Sequence, residues 1–292
     1  MSLRDITVLG SSSQVPTRHR NHNGYLLRWD GHGLLFDPGE GIQRQFIFAG
    51  IAPTAVNHIL ISHFHGDHCL GLAGLFQRLS LDRIKGPLHI YFPRSGREFI
   101  DNMRRAAIYH DCLDVILHPI DEDGFVASFK SFSIEARSLK HPVDTYGYRI
   151  IEGDQLRFDK EALSRAGLSG PIVGELERRG SVKVGSQVFE LDDFTYLRKG
   201  SIVAYILDTR PCQGAIELAQ NADLAIMEGT FLESEAQCAQ DYGHMTITEA
   251  CKLAKEAGVE KLLLTHFSQR YTKIAPLKLE AKSVFPNAIF AK

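Results

Sequence analysis

The amino-acid sequence predicts an α/β fold in which two sheets pack together and helices cover their outer faces. The first segment of the chain has the pattern of strands joined by hairpins. The turn Asp30-Gly31-His32-Gly33, between residues 24–29 and 34–36, is a strong hairpin signal. From residue 59 onward, short apolar β-branched runs alternate with helical patterns. Periodicity alone leaves two architectures open, a four-layer αββα sandwich and a doubly wound sheet.

The individual elements follow from apolar periodicity and from the Gly and Pro residues between the periodic runs. Residues 71–81 illustrate a helix, because their apolar side chains recur on one face, as Leu72, Leu75, Phe76 and Leu79. We predict strands over residues 6–9, 24–29, 34–36, 59–62, 88–92, 115–119, 126–129, 132–137, 147–151, 202–207, 224–227 and 261–264, and helices over residues 42–49, 71–81, 96–109, 214–220 and 246–257.

Residues 153–200 differ from the rest of the chain. Seven glycines and Pro171 interrupt this segment, and apolar periodicity is weak apart from one or two helical turns over residues 159–166. Six basic residues between Arg157 and Lys183 stand against four acidic ones, a local balance of +2. We interpret the segment as an excursion from a single domain that spans residues 1–292, not as a second full domain.

Composition bears on location more than on activity. The chain has 33 Lys and Arg against 35 Asp and Glu, so net charge gives no support to nucleic-acid binding, although a local patch can suffice. The N-terminus lacks a signal-peptide pattern and no apolar run reaches 18 residues, so we expect no membrane span. The cysteines are odd in number and form no C-x-x-C pair, which predicts a reducing, cytoplasmic environment. They are Cys69, Cys112, Cys212, Cys238 and Cys251.

A histidine-rich motif follows the apolar run at residues 59–62. It is His63-Phe64-His65-Gly66-Asp67-His68, in which a loop leaving a strand can turn four polar side chains toward one volume. Imidazole nitrogen and carboxylate oxygen are ligands that Zn²⁺ prefers. Because one catalytic zinc keeps a position open for water, four potential ligands in six residues indicate a pair of metal ions, with Zn²⁺ ahead of Mn²⁺ or Fe.

Further ligands must come from other parts of the chain. His141 lies between predicted strands, Asp208 ends the run at 202–207, and His266 ends the run that begins at residue 261. Each follows an apolar strand, and ligand sites of α/β proteins lie at the carboxyl ends of strands. We therefore expect these side chains to meet the histidine motif at one rim of the sheets, with the Asp208 carboxylate placed to bridge two metal ions.

These residues resemble the metallo-β-lactamase superfamily, whose signature is H-x-H-x-D-H followed by later His, Asp and His ligands. The resemblance covers nearly the whole chain and implies the αββα sandwich of that superfamily. Within it, the chain is similar to the ribonuclease Z family of tRNA 3′-processing endonucleases, although Pro38, Ile42, Met227 and Gly229 depart from the family pattern. The matching segments are residues 36–43, residues 204–210, Met227-Glu228-Gly229-Thr230-Phe231, His244-Met245-Thr246 and residues 265–271.

The resemblance also implies roles for individual residues. His63, His65 and His141 would hold one zinc, and Asp67, His68 and His266 the other, with Asp208 between them. The two ions would activate a water for attack on the phosphodiester 3′ of the tRNA discriminator, which leaves a 3′-hydroxyl on the tRNA. Asp67 would orient that water or take its proton. The remaining catalytic and substrate-binding candidates are His244, which would protonate the leaving oxygen, its neighbour Glu228, and Arg270, which would hold a phosphate.

The family resemblance extends to partners. Residues 153–200 correspond to a protruding arm that grips the body of precursor tRNA, and Gly170-Pro171 matches the end of the family's arm motif. Members are typically homodimers. Without the resemblance, His244 can equally be a hydrogen-bonded surface histidine, and Arg270 a member of a surface ion pair.

Two other functions remain open. One is a hydrolase of the same superfamily that acts on a small phosphodiester or a lactone, which has no need of the 153–200 arm. The other is a zinc-dependent RNA-binding or scaffold protein without activity, which has no need of an open metal position.

Overall fold

The computed structural model describes residues 4–291, which fall into two compact units. The first unit comprises the described residues up to Ile151 and from Ile202 onward, and the second comprises Glu152–Ser201. The predicted excursion at residues 153–200 lies within the second unit.

The first unit contains most of the regular structure. Its strands are β1 (Arg4–Gly10), β2 (Gly24–Trp29), β3 (His32–Phe36), β4 (His58–Leu60), β5 (Leu88–Pro93), β6 (Val115–Ile120), β7 (Gly124–Ser128), β8 (Ser133–Ser138), β9 (Tyr146–Ile151), β14 (Ile202–Ile206), β15 (Leu224–Glu228), β16 (Lys261–Thr265) and β17 (Ile289–Phe290). Its helices are α1 (Ile42–Ala49), α2 (Gly66–Cys69), α3 (Leu72–Leu81), α4 (Arg97–Arg104), α7 (Gln213–Ala219), α8 (Ala236–Tyr242), α9 (Ile247–Glu256) and α10 (Ala275–Val284). The strands and helices between β9 and β14 belong to the second unit.

The strands of the first unit form two sheets. One has the order β1-β2-β3-β4-β5-β6, antiparallel over its first three strands and parallel from β3 onward. The other has the order β17-β16-β15-β14-β9-β8-β7, in which β14 to β17 are parallel and the remaining pairs antiparallel. Each sheet thus combines hairpins with crossover connections, as the order of elements in the sequence predicts.

Alternating side chains of the first sheet settle which architecture the chain adopts. Leu35 and Ile59 point to a core shared with α1 and α3, whereas Phe36 and Leu60 point to the core shared with the second sheet. The Phe36 ring stacks on Tyr205 of β14 with centroids 4.6 Å apart. Helices α7 and α9 lie against the strands of the second sheet. The four-layer αββα sandwich is therefore confirmed, and the doubly wound alternative is excluded.

Local sequence chemistry explains where α9 begins. Thr246 accepts a hydrogen bond from the Glu249 N–H, and the Glu249 side chain bonds back to the Thr246 N–H, which makes a capping box. Such a cap stabilises a helix by about 0.5–2 kcal/mol. The capping residue Thr246 lies two residues after His244, so the cap also fixes the segment that carries this histidine.

Some predicted boundaries were wrong. The helix predicted over 96–109 ends at Arg104, because its last turn is held by the following loop: the Tyr109 hydroxyl donates to the Arg104 carbonyl, and the Arg104 guanidinium bonds to Asp111 and the Leu113 carbonyl. The predicted turn Asp30–Gly33 is shorter than expected, since Trp29 pairs with His32 around Asp30 and Gly31, both at positive φ. Three further helices of the structure, α2, α8 and α10, were not predicted from the sequence at all.

The second unit, Glu152–Ser201, has a small core of its own. Its elements are β10 (Gln155–Phe158), α5 (Lys160–Arg165), α6 (Pro171–Arg179), β11 (Ser181–Val184), β12 (Gln187–Glu190) and β13 (Thr195–Arg198), with β10 paired to β13 and β11 to β12. Asp159 caps α5 by accepting from Glu161 and Ala162, while α6 was not predicted. The buried apolar residues that form this core are Leu163, Leu168, Leu176, Val182 and Phe194.

Four histidines on adjacent strands of the first sheet form a row, which we call the histidine row: His32, His58, His89 and His118. Nδ1 of His32 lies 2.9 Å from Nε2 of His58, and Nδ1 of His89 lies 2.9 Å from Nε2 of His118. The rings of His58 and His89 stack with centroids 5.2 Å apart. Burial lowers the pKa of His58 to about 3, and the neighbouring imidazoles add to this effect.

The histidine row should make the stability of the protein sensitive to acid. In the unfolded chain His58 binds a proton below about pH 6.5, but in the folded chain only near pH 3, so folding opposes protonation between these values. Asp30 near His32 and Asp114 near His89 act in the opposite direction. As the pH is lowered from 6.5 to 4.5, we expect the free energy of unfolding to fall less steeply in His58→Gln than in the wild type. The two slopes should differ by up to ~1.4 kcal/mol per pH unit.

Urea unfolding at several pH values measures this slope. The matched control is His110→Gln at an exposed histidine, which should keep the wild-type slope. An unchanged slope in His58→Gln would show that the row does not couple folding to protons.

Candidate metal centre

The histidine motif lies where β4 leaves the first sheet. The chain passes through His63 and His65 and then forms the single turn of α2, which carries Asp67 and His68. His63 and His68 are fully buried, and Asp67 is 7% exposed. Three of the four polar side chains of the motif are therefore buried, whereas His65 is exposed and lines the cleft, with its Nδ1 3.3 Å from His141 Nε2.

The other three candidate ligands lie at the ends of strands or just beyond them. His141 follows β8, Asp208 follows β14 and His266 follows β16. Asp208 and His266 have φ angles of +52° and +59°, in the left-handed region that residues other than glycine rarely adopt. Such a conformation costs on the order of 1–3 kcal/mol, so the surrounding structure must hold both residues in place.

All seven candidate side chains meet in one place. Ligand atoms of His63, His65, His141 and Asp208 lie within 4.8 Å of one another, and so do those of Asp67, His68 and His266. Asp208 stands between the groups: its Oδ2 is 3.6 Å from His63 Nε2 and 3.3 Å from His68 Nε2, and its Oδ1 is 3.1 Å from His266 Nε2. The geometry therefore offers two adjacent positions that share one carboxylate.

The residues present fit metal ions. His63 Nε2 and Asp208 Oδ1 are buried without a hydrogen-bond partner, an arrangement that is costly unless a cation satisfies them. The opposite ring nitrogens are held by oxygen: Nδ1 of His63 lies 2.9 Å from Ser62 Oγ, and Nδ1 of His266 lies 2.9 Å from Thr230 Oγ1. Histidines that bind metals are usually oriented in this way.

The electrostatics of the cluster match such a role. Burial lowers the pKa of His63, His65 and His141, so these imidazoles are neutral near pH 7, the form that can bind a metal. Burial alone would raise the pKa of Asp208, but the charges of His266 and other histidines outweigh it and hold the pKa well below its usual range. The cluster therefore combines neutral nitrogen donors with an ionised carboxylate.

The predicted pair His244 and Glu228 lies beside the cluster. Glu228 ends β15 and is fully buried; its Oε1 is 3.2 Å from His244 Nδ1 and accepts from the Thr209 N–H at 2.6 Å. Burial alone would lower the pKa of His244, but the charges of Glu228 and Asp208 raise it to about 9. His244 is therefore protonated at neutral pH and is placed to donate a proton.

Arg270 lies at the edge of the same cleft, in contact with a carboxylate. Its guanidinium forms an ion pair with Glu235 and lies 4.9 Å from the centroid of the Phe231 ring. The Tyr271 hydroxyl also donates to Glu235. The surface ion pair that the sequence left open for Arg270 is present, and a role in holding phosphate requires that Arg270 exchange Glu235 for the substrate.

Two important residues were missed by sequence reasoning. Asp37, directly after β3, is fully buried and accepts hydrogen bonds from the Ser62 N–H and hydroxyl and from Tyr205 Oη, while its Oδ2 lies 2.8 Å from His68 Nδ1. Its signal was a charged residue directly after an apolar strand, the same signal that identified Asp208.

Arg210 is the second missed residue. Its N–H donates to the Lys140 carbonyl and its Nη1 to the His244 carbonyl, with distances of 2.9 and 2.5 Å. The Glu249 carboxylate, part of the cap of α9, holds the guanidinium in place. Arg210 therefore connects the segments that carry His141 and His244, and its position two residues after Asp208 gave no indication of this.

A cleft of 590 Å³ opens beside the cluster. His22 lines the cleft, whereas Arg20 is buried and donates to the carbonyls of Ser268 and Tyr271. Arg20 thus anchors the loop of Arg270. The lining comprises Ser13, Gln14, His22, His65, Gly66, Asp67, Leu70, His141, Pro142, Asp208, Phe231, Asp241, Tyr242, His244, Ser268, Gln269 and Arg270.

Sequence models of known families agree with this geometry. The model of the metallo-beta-lactamase superfamily matches residues 17–154, and that of a beta-lactamase superfamily domain matches residues 193–267. Together with the αββα sandwich and the His and Asp cluster, these matches define the class of protein, a metallo-β-lactamase fold with a metal-binding site. No helix within residues 4–291 is long and apolar enough to cross a membrane.

Individual relatives narrow this class. Ribonuclease Z of Chlamydia trachomatis serovar L2 is 52% identical over 292 residues, which is 100% of this chain and 96% of the relative. Ribonuclease Z of Protochlamydia amoebophila is 47% identical over 291 residues, 100% of this chain and 95% of the relative. The crystal structure of the short form of human tRNase Z superposes with a TM-score of 0.72 at 23% identity, covering 98% and 96% of the two chains. The chain belongs to the ribonuclease Z family.

The contacts of Asp37 yield a prediction about metal affinity. Asp37→Asn keeps the shape of the side chain, but its amide nitrogen cannot accept the hydrogen bonds that orient His68 and Ser62. We expect zinc affinity, measured by competition with a chromogenic chelator, to fall about 10- to 100-fold.

The matched control is Asp5→Asn, which removes a surface ion pair with Arg28 and should leave zinc affinity unchanged. Wild-type zinc affinity in a folded Asp37→Asn protein would contradict the orienting role of Asp37.

Proposed function

We propose that this protein is a zinc-dependent endoribonuclease that removes the 3′ trailer of precursor tRNA by hydrolysing one phosphodiester bond, leaving a 3′-hydroxyl on the tRNA. One observation carries the proposal. Two groups of metal ligands share Asp208 next to the His244–Glu228 pair, in a chain that matches relatives named ribonuclease Z over its full length. The proposal includes the cytoplasm as location, which cysteine usage predicts, and a homodimer as assembly, which the family resemblance implies.

For the metal ligands we propose the division that the family resemblance implies. His63, His65 and His141 would hold one zinc ion, Asp67, His68 and His266 the other, and Asp208 would contact both. When bound, two zinc ions lower the pKa of a water molecule and stabilise charge on the attacking and leaving oxygens at phosphorus.

Asp67 has a further role as acceptor for the attacking water. Its carboxylate lines the cleft, with Oδ2 3.4 Å from His266 Nε2 and 3.3 Å from His68 Nε2. Burial alone would raise the pKa of Asp67, but the charge of His68 and the hydrogen bond with His266 hold it below its usual range. Asp67 therefore stays ionised and orients the water by accepting its hydrogen.

His244 donates a proton to the leaving oxygen. It lines the cleft, and its Nδ1 faces the Glu228 carboxylate, which leaves Nε2 as the nitrogen that can donate. Glu228 in turn accepts from the Thr230 hydroxyl at 2.6 Å and the Met245 N–H at 3.0 Å, so it remains ionised and fixed. General acid catalysis of this kind contributes on the order of 10²–10⁴ in rate.

Arg270 binds a phosphate next to the scissile bond once it leaves Glu235. A guanidinium offers a planar fork that matches two phosphate oxygens. Glu235 and the substrate phosphate are both negatively charged, so Arg270 has a negative partner before and after the substrate binds.

The unit Glu152–Ser201 contacts the body of the tRNA. It carries eight Lys and Arg against nine Asp and Glu, so it has no positive charge as a whole. Three of its exposed basic residues lie at the end of α6 and in β11, which we call the basic end of the unit: Arg178, Arg179 and Lys183. Phosphate contacts from this end of the unit are the form of recognition expected for structured RNA.

The role of His244 is testable with two substrates that differ in their leaving group. His244→Ala should lower kcat on precursor tRNA by about 10²–10⁴, because the ribose hydroxyl that leaves needs a proton. Hydrolysis of bis(p-nitrophenyl) phosphate should fall far less, because p-nitrophenolate leaves without one. Mapping of the cleaved 3′ end identifies the product.

The matched control for this experiment is His110→Ala, at an exposed histidine outside the cleft. Equal losses on both substrates would show that His244 does not act as the acid. A wild-type enzyme that cleaves only the small substrate would favour the alternative, a hydrolase of small phosphodiesters.

The basic end of the second unit yields a further prediction. Replacing Arg178, Arg179 and Lys183 together by Ala should raise KM for precursor tRNA, because phosphate contacts are lost. The salt dependence of KM should become weaker, since binding with fewer phosphate contacts releases fewer counterions. Hydrolysis of bis(p-nitrophenyl) phosphate should not change. The matched triple variant replaces exposed lysines of the other unit by Ala: Lys252, Lys255 and Lys282.

Unchanged KM and salt dependence in the first triple variant would remove this surface from the tRNA-binding site. Equal effects in both triple variants would show that only overall charge matters.

A further inference from the structure

Tyr242 forms one wall of the cleft and has no role in the proposed hydrolysis. Tyr242 is the last residue of α8, and its side chain is 61% exposed although it lines the cleft. Leu70, which also lines the cleft, is 55% exposed. Single exposed apolar side chains are common on protein surfaces, but two that line the same cleft as the metal ligands mark a surface suited to an apolar or aromatic group.

The Tyr242 ring is supported from within the protein. Phe231 is 4% exposed, and its ring lies nearly parallel to that of Tyr242, with centroids 6.4 Å apart and planes inclined by 21°. Within residues 4–291 the Tyr242 hydroxyl makes no hydrogen bond, so the residue is not held by its polar end. An aromatic ring with a buried ring beside it and more than half of its surface open can stack with a further flat group.

The backbone fixes this ring relative to the metal ligands. Gly243 follows Tyr242 with φ +74°, and a Cβ there would lie 2.6 Å from Pro142 Cδ. The Gly243 carbonyl is 3.1 Å from His141 Nδ1, and the next residue is His244. Tyr242 is thus tied through one glycine to a metal ligand and to the proton donor.

The neighbouring side chains favour a nucleobase as the group that stacks. Arg270 supplies positive charge at the same cleft, and the exposed amides of Gln14 and Gln269 offer both donors and acceptors, as the edges of bases require. Single-stranded RNA is bound by stacking of its bases on exposed aromatic side chains.

We propose that Tyr242 is a stacking platform for the base of a nucleotide adjacent to the scissile phosphodiester. This inference rests on the proposed function, because it requires an RNA substrate in the cleft. Stacking holds one flanking nucleotide in place while Arg270 holds a phosphate, so the scissile bond is presented to the metal ligands and His244. The platform acts on any base, because every base has a flat face.

The test combines variants of Tyr242 with modified substrates. Tyr242→Leu removes the ring, Tyr242→Phe keeps it, and Phe125→Leu is the matched control at an exposed aromatic residue outside the cleft. The substrates are an intact precursor tRNA, the same RNA with an abasic nucleotide directly 5′ or directly 3′ of the scissile phosphate, and bis(p-nitrophenyl) phosphate.

We expect kcat/KM on intact precursor tRNA to fall about 10- to 100-fold in Tyr242→Leu and to stay within about twofold of wild type in Tyr242→Phe and Phe125→Leu. On one of the two abasic substrates, wild type and Tyr242→Leu should be equal within about twofold, because the base that stacks is absent. Tyr242→Phe and Phe125→Leu should hydrolyse bis(p-nitrophenyl) phosphate like wild type, and the equality of Tyr242→Leu with wild type on that abasic substrate shows that the metal site of this variant is intact.

Other results would overturn the inference. If Tyr242→Leu cleaves intact precursor tRNA like wild type, no base stacks on this ring. The same conclusion follows if kcat/KM of Tyr242→Leu falls below wild type by the same factor on both abasic substrates as on the intact RNA. If the wild type itself leaves precursor tRNA uncut, the proposed function fails and this inference fails with it. The reaction of the wild type alone separates this outcome from a failure of the stacking inference.

Discussion

The burial of the Asp208 carboxylate among imidazoles is the constraint on which the rest of the structure depends. Asp208 is 2% exposed, and its two oxygens face His63, His68 and His266 at 3.1–3.6 Å. An ionised carboxylate out of water is costly unless opposite charge compensates it. Burial raises the pKa of Asp208, but the charges of His266, His68 and His244 outweigh this effect and hold the pKa well below its usual range. Bound metal ions would add further positive charge beside this carboxylate, so a complete metal site would stabilise it most.

The two sheets provide the rigidity that this constraint requires. Asp37, Asp208 and His266 each follow a strand, and all three have φ angles between +44° and +59°. Strained conformations of this kind persist where surrounding packing leaves no alternative. That packing is the core between the sheets, where Phe36 stacks on Tyr205 and the Tyr205 hydroxyl donates to Asp37. The same tyrosine thus joins the two sheets and holds the carboxylate that orients His68.

The strands and the candidate metal ligands were predictable from the sequence because both follow from local patterns. An apolar run followed by His or Asp predicted Asp208 and His266 without knowledge of the fold. The network around Asp37 was not predictable in this way, since its partners Ser62 and Tyr205 come from distant segments that only the packed sheets bring together. Helix α6 was missed for a related reason: its one fully buried residue, Leu176, gives no periodicity, and its stability comes from the small core of its own unit.

Charge explains why recognition in this protein has to be local. The chain carries a net charge of −2, and the unit Glu152–Ser201 has one more acidic than basic residue, so no long-range field attracts a polyanion. Affinity for RNA then has to come from short-range contacts: exposed arginines and lysines against phosphates, and exposed rings against bases. The role proposed for Arg270 follows the same logic, because Glu235 would neutralise the guanidinium until a phosphate takes the place of that carboxylate. A cleft of this kind selects an RNA by the fit of its groups and gains little from charge alone.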